Sequence, residues 1–398
     1  MKVLEIGTGY TPIPATMGAA TEIVVEELTK SMQKDNVDVS IVDIEAKDRL
    51  PNNLPIIEVA VPDRFTGTDV QLGLMHKLKR VIYSVNLAFK LKQIIKQEKE
   101  KVILHFHNQY NMFFFLKLTN RNQRKKCFLA YTNHSYIWHG KWEEIEETIN
   151  KRYFQEVYSM KNADMIYVLN EHTIDTLVKY IGIDKERITL IDNGVNTEIY
   201  KPLPAGEIER FRKEKGLQGK RVYLQIGSVC DRKNQLGTIQ LLLPLLKEDQ
   251  NSCFVYAGGI ISEKYQEQII ETTSEMGISD QVIYMGELKP GIELNKYYNL
   301  ADVMVFPSKS EGFSLVIIEA MSAGVPVIIN DNLQFKLSNE CLKYSKQSDF
   351  LEVIENNILN ENRQKELSNK VREAVVKNHS WDKVANDYIN SWENEQNG

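Results

Sequence analysis

The chain has 398 residues, of which 42% are hydrophobic and 26% are charged, a composition typical of a globular protein long enough for two domains. The formal net charge of −5 argues against nucleic acid as a general partner, and the four widely spaced cysteines argue against a disulfide framework or a cysteine zinc site. No apolar run approaches the ~18 residues that a transmembrane helix needs, and the first residues resemble a strand, not a signal peptide, so we expect a cytoplasmic protein.

The first half begins with a strand and a loop rich in small residues. Short β-branched runs alternate with helical stretches along the whole chain, which predicts an α/β fold with parallel sheets. The first strand, residues 1–7, is followed by a loop that contains Gly18 and by a helix over about 21–33. A loop after the first parallel strand is a common ligand site. The Gly-x-Gly sequence of this loop lacks the third glycine of a dinucleotide-binding motif, so an NAD-dependent oxidoreductase is only a distant alternative.

Residues 76–126 are strongly basic. They contain 13 Lys or Arg residues and two acidic residues, Glu98 and Glu100. The pattern predicts a helix over about 76–99, with an apolar stripe from Leu78 to Ile94 and with lysines mostly outside the stripe. A basic amphipathic helix of this kind can lie on an anionic membrane surface. The alternative is an ordinary packed helix with a solvated basic face.

Two histidines follow predicted strands of the first half. His107 ends a strand over 102–107, and His134 ends a strand over 128–134. Parallel strands deliver the residues at their C-terminal ends to the crevice in which such sheets bind ligands. We therefore predict a functional role for His134, with His107 as the weaker candidate. A structural role is the alternative for both.

The second half repeats the strand and helix alternation after a hinge. An Asn-Gly turn and two prolines within residues 193–204 mark the domain boundary. A strand over 222–226 leads into a loop that contains Arg232 and Lys233, and a helix follows. Adjacent Arg and Lys side chains before a helix N-terminus suit a pyrophosphate. A basic pair exposed to solvent, with no ligand, is the alternative.

Two glutamates eight positions apart are the most distinctive feature of the second half. Glu311 precedes a helix that is predicted to begin after Ser314, and Glu319 lies within it. Gly312 gives the backbone freedom before the turn, and the free amides at the helix N-terminus form an anion site. A carboxylate on each side can accept hydrogen bonds from sugar hydroxyls, which suits a nucleoside-diphosphate sugar. A solvated helix with two surface glutamates is the alternative.

Together these residues resemble the signature of one enzyme family. Residues 307–327, with Glu311 and Glu319, resemble the E-x7-E motif of the retaining glycosyltransferases of family 4, which have the GT-B fold. Further similarities occur at 193–196, Gly227, Lys233, Gly286, Leu288, 301–302, 18–19 and His134. The resemblance covers most of the chain and is most specific in the second half.

The resemblance implies two Rossmann-like parallel-sheet domains that face an interdomain cleft. Residues 1–195 would form the acceptor-binding domain, and residues 196–380 the domain that binds the nucleotide sugar. Residues 381–398 would form a C-terminal helix that packs back toward the first domain.

The resemblance also implies roles for individual residues. Glu311 would bind hydroxyls of the transferred sugar, Glu319 would bind the ribose, and Lys233 would neutralise the diphosphate. His134 would shape the acceptor side of the site. The further contacts to the nucleotide sugar would come from Gly18, Gly227, Gly286, Leu288, Gly312, Phe313, Ser314 and Leu315.

Two positions depart from the family pattern. Ser228 follows Gly227 where the family often has arginine, and we expect Arg232 to supply the second cation of the catalytic group instead. The loop at Gly18 lacks the usual second glycine, which weakens its assignment to the phosphates.

We therefore hypothesise a retaining, metal-independent hexosyltransferase. It would move a hexose or N-acetylhexosamine from a UDP- or GDP-sugar to a lipid-linked or cell-surface glycan acceptor. The nucleotide sugar is then a substrate, and we expect neither a cofactor nor a metal site. Residues 76–126 would hold the protein peripherally at the inner face of the cell membrane. The alternatives are the same fold acting on a small soluble acceptor, and a non-catalytic nucleotide-sugar-binding partner of a glycosylation complex.

Overall fold

The computed structural model describes residues 2–15, 19–66, 74–309, 311, 313–333 and 339–397. The chain divides into two compact units. The first unit comprises Met1–Asn193 and Trp381–Gly398, and the second unit comprises Gly194–Ser380. Each unit is built around a parallel sheet with helices, so the predicted α/β fold class is confirmed.

The sheet of the first unit is parallel throughout its described part. Its strands are β1 Lys2–Ile6, β2 Asp38–Ile44, β3 Ile56–Val59, β4 Val102–Phe106, β5 Cys127–Thr132, β6 Met165–Val168 and β7 Ile188–Leu190. They lie in the order β3-β2-β1-β4-β5-β6-β7. The chain thus builds outward in one direction from β1 and in the other from β4. A crevice forms beyond the C-terminal ends of these two strands, where the order reverses.

Helices cover both faces of this sheet. They are α1 Ala20–Lys34, α2 Leu74–Gln97, α3 Gln109–Leu118, α4 Arg121–Arg124, α5 Trp142–Arg152, α6 Phe154–Asn162 and α7 Glu171–Thr176. Leu4 and Ile6 belong to one apolar cluster and Val3 to another, because successive side chains of a strand point to opposite faces. In the described part of the chain, no helix combines the length and the apolarity that crossing a membrane requires.

Helix α2 packs only part of the predicted apolar stripe, Ile82 and Ile94, against the core. Its buried apolar side chains are Tyr83, Leu87, Ala88, Leu91 and Ile95. Leu78, Val81 and Phe89 of the predicted stripe are 41%, 40% and 54% exposed. The hydroxyl of Tyr83 donates a hydrogen bond to the Gly7 carbonyl at the end of β1, 3.0 Å away. Both faces of α2 are apolar, so periodicity alone could not identify the buried one.

The second unit has the same arrangement. Its strands are β8 Arg221–Ile226, β9 Ser252–Ala257, β10 Val282–Tyr284, β11 Val303–Phe306, β12 Val327–Asn330 and β13 Leu342–Tyr344. Its helices are α8 Ala205–Glu214, α9 Gln235–Glu248, α10 Glu263–Glu275, α11 Ile292–Asn299, α12 Leu315–Ser322, α13 Gln347–Asn357 and α14 Glu361–Asn378. The described strands are parallel in the order β10-β9-β8-β11-β12-β13. The order reverses between β8 and β11, and a second crevice is expected there.

The last helix, α15 Trp381–Asn397, belongs to the first unit. Trp392 and Tyr388 are buried in the apolar cluster that also contains residues of α1. Asp382 accepts a hydrogen bond from the Ser31 hydroxyl at 2.8 Å and pairs with the Lys34 ammonium at 2.9 Å. Helix α15 is therefore part of the core of the first unit, although about 190 residues separate it from the rest of that unit in sequence.

Truncating Trp392 tests this contribution. The side chain is fully buried, so Trp392→Ala should lower the free energy of unfolding of the first unit by about 3–5 kcal/mol. Equilibrium denaturation measures the change. Asn390→Ala, at an exposed position of the same helix, is the matched control and should have little effect. A loss below about 1 kcal/mol for Trp392→Ala would show that α15 is not an integral part of this core.

Candidate functional site

A charged cluster lies at the reversal point of the second sheet. Oε1 of Glu311 is 2.6 Å from Nη1 of Arg232 and 2.7 Å from Nζ of Lys233. The hydroxyl of Ser308 donates a hydrogen bond to the same oxygen. The side chains of Glu311 and Lys233 are 9% and 11% exposed, whereas that of Arg232 is 38% exposed. We call Glu311, Lys233 and Arg232 the charged cluster.

The loop that follows β8 positions the two cations. Gly227 has a φ of +149°, and a Cβ at this position would lie 3.3 Å from Cε of Lys233. Glycine thus leaves room for the Lys233 side chain to pass. The amide of the buried Gln225 donates a hydrogen bond to the Lys233 carbonyl at 2.7 Å. Asn234, in the left-handed conformation, then starts α9.

A second loop, after β11, brings Glu311 to these cations. The backbone N–H of Lys309 donates a hydrogen bond to the Arg232 carbonyl at 2.9 Å. The side-chain amide of Asn234 donates to the Pro307 carbonyl at 3.2 Å. Because β8 and β11 are neighbours in the sheet, residues 78 positions apart in sequence, Lys233 and Glu311, become an ion pair.

Burial shapes the electrostatics of Lys233. Burial lowers the pKa of its ammonium, and the adjacent Glu311 carboxylate opposes this effect. The ammonium also lies 4.8 Å from the centre of the Phe306 ring, a cation–π distance. A buried cation of this kind is stable only with an anionic partner. Glu311 supplies this anionic partner for both cations.

Glu319 lies in a different environment from Glu311. Helix α12 begins at Leu315, directly after Ser314, as the sequence predicts. Glu319 is 7% exposed and accepts a hydrogen bond from the Tyr298 hydroxyl at 2.7 Å. Burial raises the pKa of Glu319 to about 7, although hydrogen bonds from Tyr298 and Tyr200 favour its ionised form. Neither glutamate is therefore a solvated surface residue.

The other predicted nucleotide-sugar contacts are distributed around this crevice. Gly286 follows β10, two strands from β8, and its carbonyl accepts a hydrogen bond from the Gly258 N–H at 2.9 Å. The Ser314 side chain caps none of the first amide hydrogens of α12 within the described residues, and the Ile317 N–H donates to the Ser314 carbonyl at 3.1 Å. Leu288, Phe313 and Leu315 are half-buried against the apolar core of the second unit. Gly18 and Gly312 lie outside the described residues.

A pocket of about 400 Å³ lies at the reversal point of the first sheet. His107 and His134, the two histidines predicted from strand ends, both line it. So do Arg80 and Arg152, together with several tyrosines. The guanidinium of Arg80 lies over the Tyr110 ring, 3.8 Å from its centre. The pocket thus combines cations, aromatic rings and two histidines.

The histidines of this pocket are connected to a buried carboxylate. Glu5 contacts Nδ1 of His105 at 2.9 Å and Nε2 of His107 at 2.7 Å. Nδ1 of His107 in turn lies 3.0 Å from Nε2 of His134. Ligand atoms of Glu5, His105 and His107 lie within 4.8 Å of one another, a spacing suited to a metal ion, but hydrogen bonds already join them. Sequence reasoning missed Glu5 and His105, although an acid within an apolar strand was an available signal.

Glu156 is a second residue that the sequence did not reveal. It lines the pocket and is 1% exposed. Its carboxylate accepts hydrogen bonds from the Tyr131 hydroxyl at 2.7 Å, the Ser135 hydroxyl at 2.8 Å and the Trp138 indole N–H at 2.9 Å. Burial raises its pKa, and these donors oppose the rise. The three donors fix the wall of the pocket around the carboxylate.

Two family models match the chain. The model of Glycosyltransferase Family 4 matches residues 21–199, and the model of Glycosyl transferases group 1 matches residues 207–396. The first match lies within the first unit apart from its last six residues, and the second covers most of the second unit and α15. Together they account for most of the sequence.

Individual proteins show the same similarity. The alpha-galactosylglucosyldiacylglycerol synthase of Streptococcus pneumoniae is 28% identical over 242 residues, which are 58% of this chain and 61% of that protein. The D-inositol 3-phosphate glycosyltransferase of Nocardia farcinica is 29% identical over 174 residues, 42% of this chain and 38% of that protein. The chain thus matches less than two thirds of the length of each. The structure of sucrose-phosphate synthase from Thermosynechococcus elongatus superposes with a TM-score of 0.73, at 19% identity and 99% coverage of both chains.

Replacing Glu319 by glutamine tests its raised pKa. In the folded protein the pKa of Glu319 is about 7, above its ordinary value of 4.5. Protonated Glu319 therefore stabilises the folded state fully below pH 4.5, and this stabilisation is lost as the pH rises through 7. We expect Glu319→Gln to have a higher Tm than the wild type at about pH 8, with little difference at about pH 4.5.

Thermal unfolding of the ligand-free protein across this pH range measures the effect. Glu293→Gln, at an exposed position of α11, is the control, and its difference from the wild type should not depend on pH. A pH-independent difference for Glu319→Gln would contradict the raised pKa.

Proposed function

The chain belongs to glycosyltransferase family 4 and has the GT-B fold, and from this premise we propose that it is a retaining glycosyltransferase that needs no metal ion. It moves a hexose or N-acetylhexosamine from a UDP- or GDP-sugar to a lipid-linked or cell-surface glycan acceptor. The observation that carries the proposal is the charged cluster, in which two cations share one carboxylate at the reversal point of the second sheet.

The charged cluster supplies a site for the donor diphosphate. A diphosphate carries more negative charge than a carboxylate, and the Arg232 guanidinium can bind two of its oxygens. We infer that the donor replaces Glu311 as the partner of Lys233 and Arg232. The Glu311 carboxylate is then free to accept hydrogen bonds from hydroxyls of the transferred sugar. Glu319, close to the Tyr298 hydroxyl, accepts hydrogen bonds from the ribose.

The same cations stabilise the departing nucleotide. In the transfer, the bond between the anomeric carbon and the diphosphate oxygen breaks, and a bond to the acceptor oxygen forms on the same face of the sugar. The proton of the acceptor hydroxyl passes to the leaving phosphate. Lys233 and Arg232 stabilise the negative charge that develops on this phosphate, an electrostatic contribution that grows toward the transition state. This assignment gives the leaving group its counter-charge without a metal ion.

The pocket of the first unit suits a polar acceptor. His134 and Asn108 can bind hydroxyls, and Arg80 and Arg152 can bind phosphate oxygens. Arg80 is held by its contact with the Tyr110 ring and by a hydrogen bond to the Tyr10 hydroxyl at 3.0 Å. A sugar linked to a phosphate or diphosphate would use both kinds of group.

The surface of α2 supports a membrane-bound acceptor. Leu78, Val81 and Phe89 form an exposed apolar stripe on a helix that also carries Lys77 and Lys90. A pocket of about 550 Å³ at the C-terminal part of α2 is lined by three lysines, Lys92, Lys96 and Lys126. The ammonium of Lys92 lies 5.4 Å from the centre of the Phe89 ring. An apolar stripe next to cations is the pattern of a helix that inserts between anionic lipid headgroups.

Some basic residues in 76–126 are not available to bind lipid headgroups. Lys79 is only 6% exposed, and its ammonium donates a hydrogen bond to the Tyr10 carbonyl. Arg80 lines the pocket of the first unit. The membrane proposal therefore rests on the other cations of this region. The name of the S. pneumoniae relative describes the synthesis of a glycolipid, which agrees with it.

A soluble phosphorylated acceptor is the second candidate. The N. farcinica relative is named for an inositol phosphate, and Arg80 with Arg152 would suit a phosphate on a small acceptor equally well. Membrane binding distinguishes the two candidates, because only a lipid-linked acceptor requires it.

Donor recognition is tested with nucleotides and with variants of the charged cluster. We expect one of UDP, GDP or ADP to raise the Tm of the wild type, and the matching nucleotide sugar to be consumed. Lys233→Gln should lower the rate of transfer by about 10²–10³-fold, because a preorganised charge at the leaving group is lost. Lys309→Gln is the control, since this lysine is exposed on the loop after β11 and pairs with Asp231.

Three results would count against the proposed transfer reaction. A wild-type protein that responds to none of these nucleotides and consumes no nucleotide sugar contradicts it. If Glu311→Gln retains wild-type activity, the carboxylate has no role in transfer. Nucleotide binding without any turnover favours the non-catalytic partner of a glycosylation complex.

Membrane binding is tested by flotation with vesicles. The wild type should float with vesicles that contain anionic phospholipid and less with purely zwitterionic ones, and added salt should weaken the binding. The double variant Leu78→Ser/Phe89→Ser should reduce the bound fraction several-fold. The control is Ile261→Ser/Ile292→Ser, which changes two residues of the second unit that are 73% and 70% exposed. Equal flotation of the two double variants would contradict the membrane proposal.

A further inference from the structure

In the chain of hydrogen bonds from Glu5 to His134, each bond has a defined donor and a defined acceptor. Glu5 is fully buried, and although burial opposes its ionisation, the nearby His105 and His107 lower its pKa to about 2. An ionised carboxylate only accepts hydrogen bonds. Both histidine nitrogens that contact it must therefore carry hydrogen, and for His107 this nitrogen is Nε2.

The hydrogen on Nε2 of His107 determines the state of its other nitrogen. Burial lowers the pKa of His107 to about 4, so its ring is neutral at pH 7 and has one hydrogen. Nδ1 of His107 is then an acceptor. Nε2 of His134, 3.0 Å away, must donate to it. Burial, with the nearby His107, also holds the pKa of His134 well below its ordinary value, so His134 keeps a lone pair on Nδ1.

This lone pair is available to a ligand. Among the described residues, Nδ1 of His134 has no hydrogen-bond partner. It is also absent from the fully buried polar atoms that lack a partner, so this nitrogen is not fully buried. His134 lines the pocket of the first unit, so its free nitrogen is accessible there. Arg80 and Arg152 in the same pocket are donors only, whereas Nδ1 is an acceptor.

We propose that Glu5 and His107 are positioning residues that fix His134 in the tautomer with hydrogen on Nε2, so that its Nδ1 accepts a hydrogen bond from a sugar hydroxyl in the pocket. A hydroxyl can donate to this nitrogen, but an ionised phosphate cannot. His134 therefore selects a hydroxyl at one point of a pocket whose arginines attract anions. The assignment of the ligand as a sugar rests on the proposed glycosyltransferase function.

The second arm of Glu5 provides an internal comparison. His105 contacts Thr132 at 2.7 Å, and Thr132 contacts the Tyr388 hydroxyl of α15 at 3.1 Å. This arm ends in the core of the first unit and does not reach the pocket. Tyr388→Phe interrupts it and leaves the arm through His107 intact, so this variant separates a structural effect on the network from an effect on His134.

The tautomer is measured directly by nitrogen NMR of the histidine-labelled full chain at pH 7. In the wild type, His134, assigned by comparison with His134→Gln, should be neutral with hydrogen on Nε2. His107→Phe should convert it to a mixture of tautomers, and Tyr388→Phe should leave it unchanged. His134 with hydrogen on Nδ1 in the wild type, or an unchanged tautomer in His107→Phe, overturns the proposal. A stoichiometric metal ion bound by Glu5, His105 and His107 also overturns it, because the metal would replace the hydrogens.

Kinetics test the use of the lone pair. His107→Phe should lower kcat/KM for transfer by at least about tenfold, the effect of one hydrogen bond worth about 1.4 kcal/mol. His107→Gln, which can donate to Glu5 and accept from His134, should restore most of the activity, and Tyr388→Phe should match the wild type. Equal losses in the two His107 variants would indicate a purely structural role and contradict the proposal.

The same variants identify the source of the hydroxyl. If the hydroxyl belongs to the transferred sugar, His107→Phe also slows hydrolysis of the donor in the absence of acceptor. If it belongs to the acceptor, hydrolysis is unchanged and only transfer is impaired. The NMR result needs no substrate, so failure of the proposed glycosyltransferase function and failure of the tautomer assignment are distinguishable.

Discussion

The reversal of strand order in each parallel sheet is the constraint on which both candidate sites depend. Where neighbouring strands lead in opposite directions, the loops that follow them separate and leave a crevice at their C-terminal ends. In the second unit this places the loop after β8 beside the loop after β11, and in the first unit it places the ends of β1 and β4 side by side. The charged cluster and the histidine network occupy these two positions. Their residues meet because of the topology, not because of proximity in sequence.

Each crevice contains ionisable groups that burial would make unfavourable without partners. In the second unit, the Glu311 carboxylate is the partner of both Lys233 and Arg232. In the first unit, His105 and His107 are the partners of the Glu5 carboxylate. The two arrangements have different consequences. In the proposed function the cations exchange a carboxylate for a ligand of higher charge, whereas in the proposed network the histidines fix which nitrogen of His134 faces the pocket as an acceptor.

The sequence predicts the positions of most strands and helices because their apolar periodicity is strong. It predicts α1 to within one residue at each end and the start of α12 after Ser314. It does not identify the buried face of α2, since both faces are apolar and only packing against β1 and its neighbours decides between them. Glu319 illustrates another limit. Its spacing from Glu311 is visible in sequence, but its burial beside Tyr298, and hence its raised pKa, is not.

By itself, the sequence determined the fold class, the family resemblance and the chemical character of the second crevice, because these depend on local periodicity and on short motifs whose residues are close in sequence. Only the tertiary structure decided which groups meet across the sheets. It joined Lys233 to Glu311 and connected His134 through His107 to Glu5, a residue that the sequence shows only as one charge within an apolar strand. The physical reason is that the strength and direction of an ionic hydrogen bond depend on burial and on distances of a few ångströms, which residue spacing does not specify.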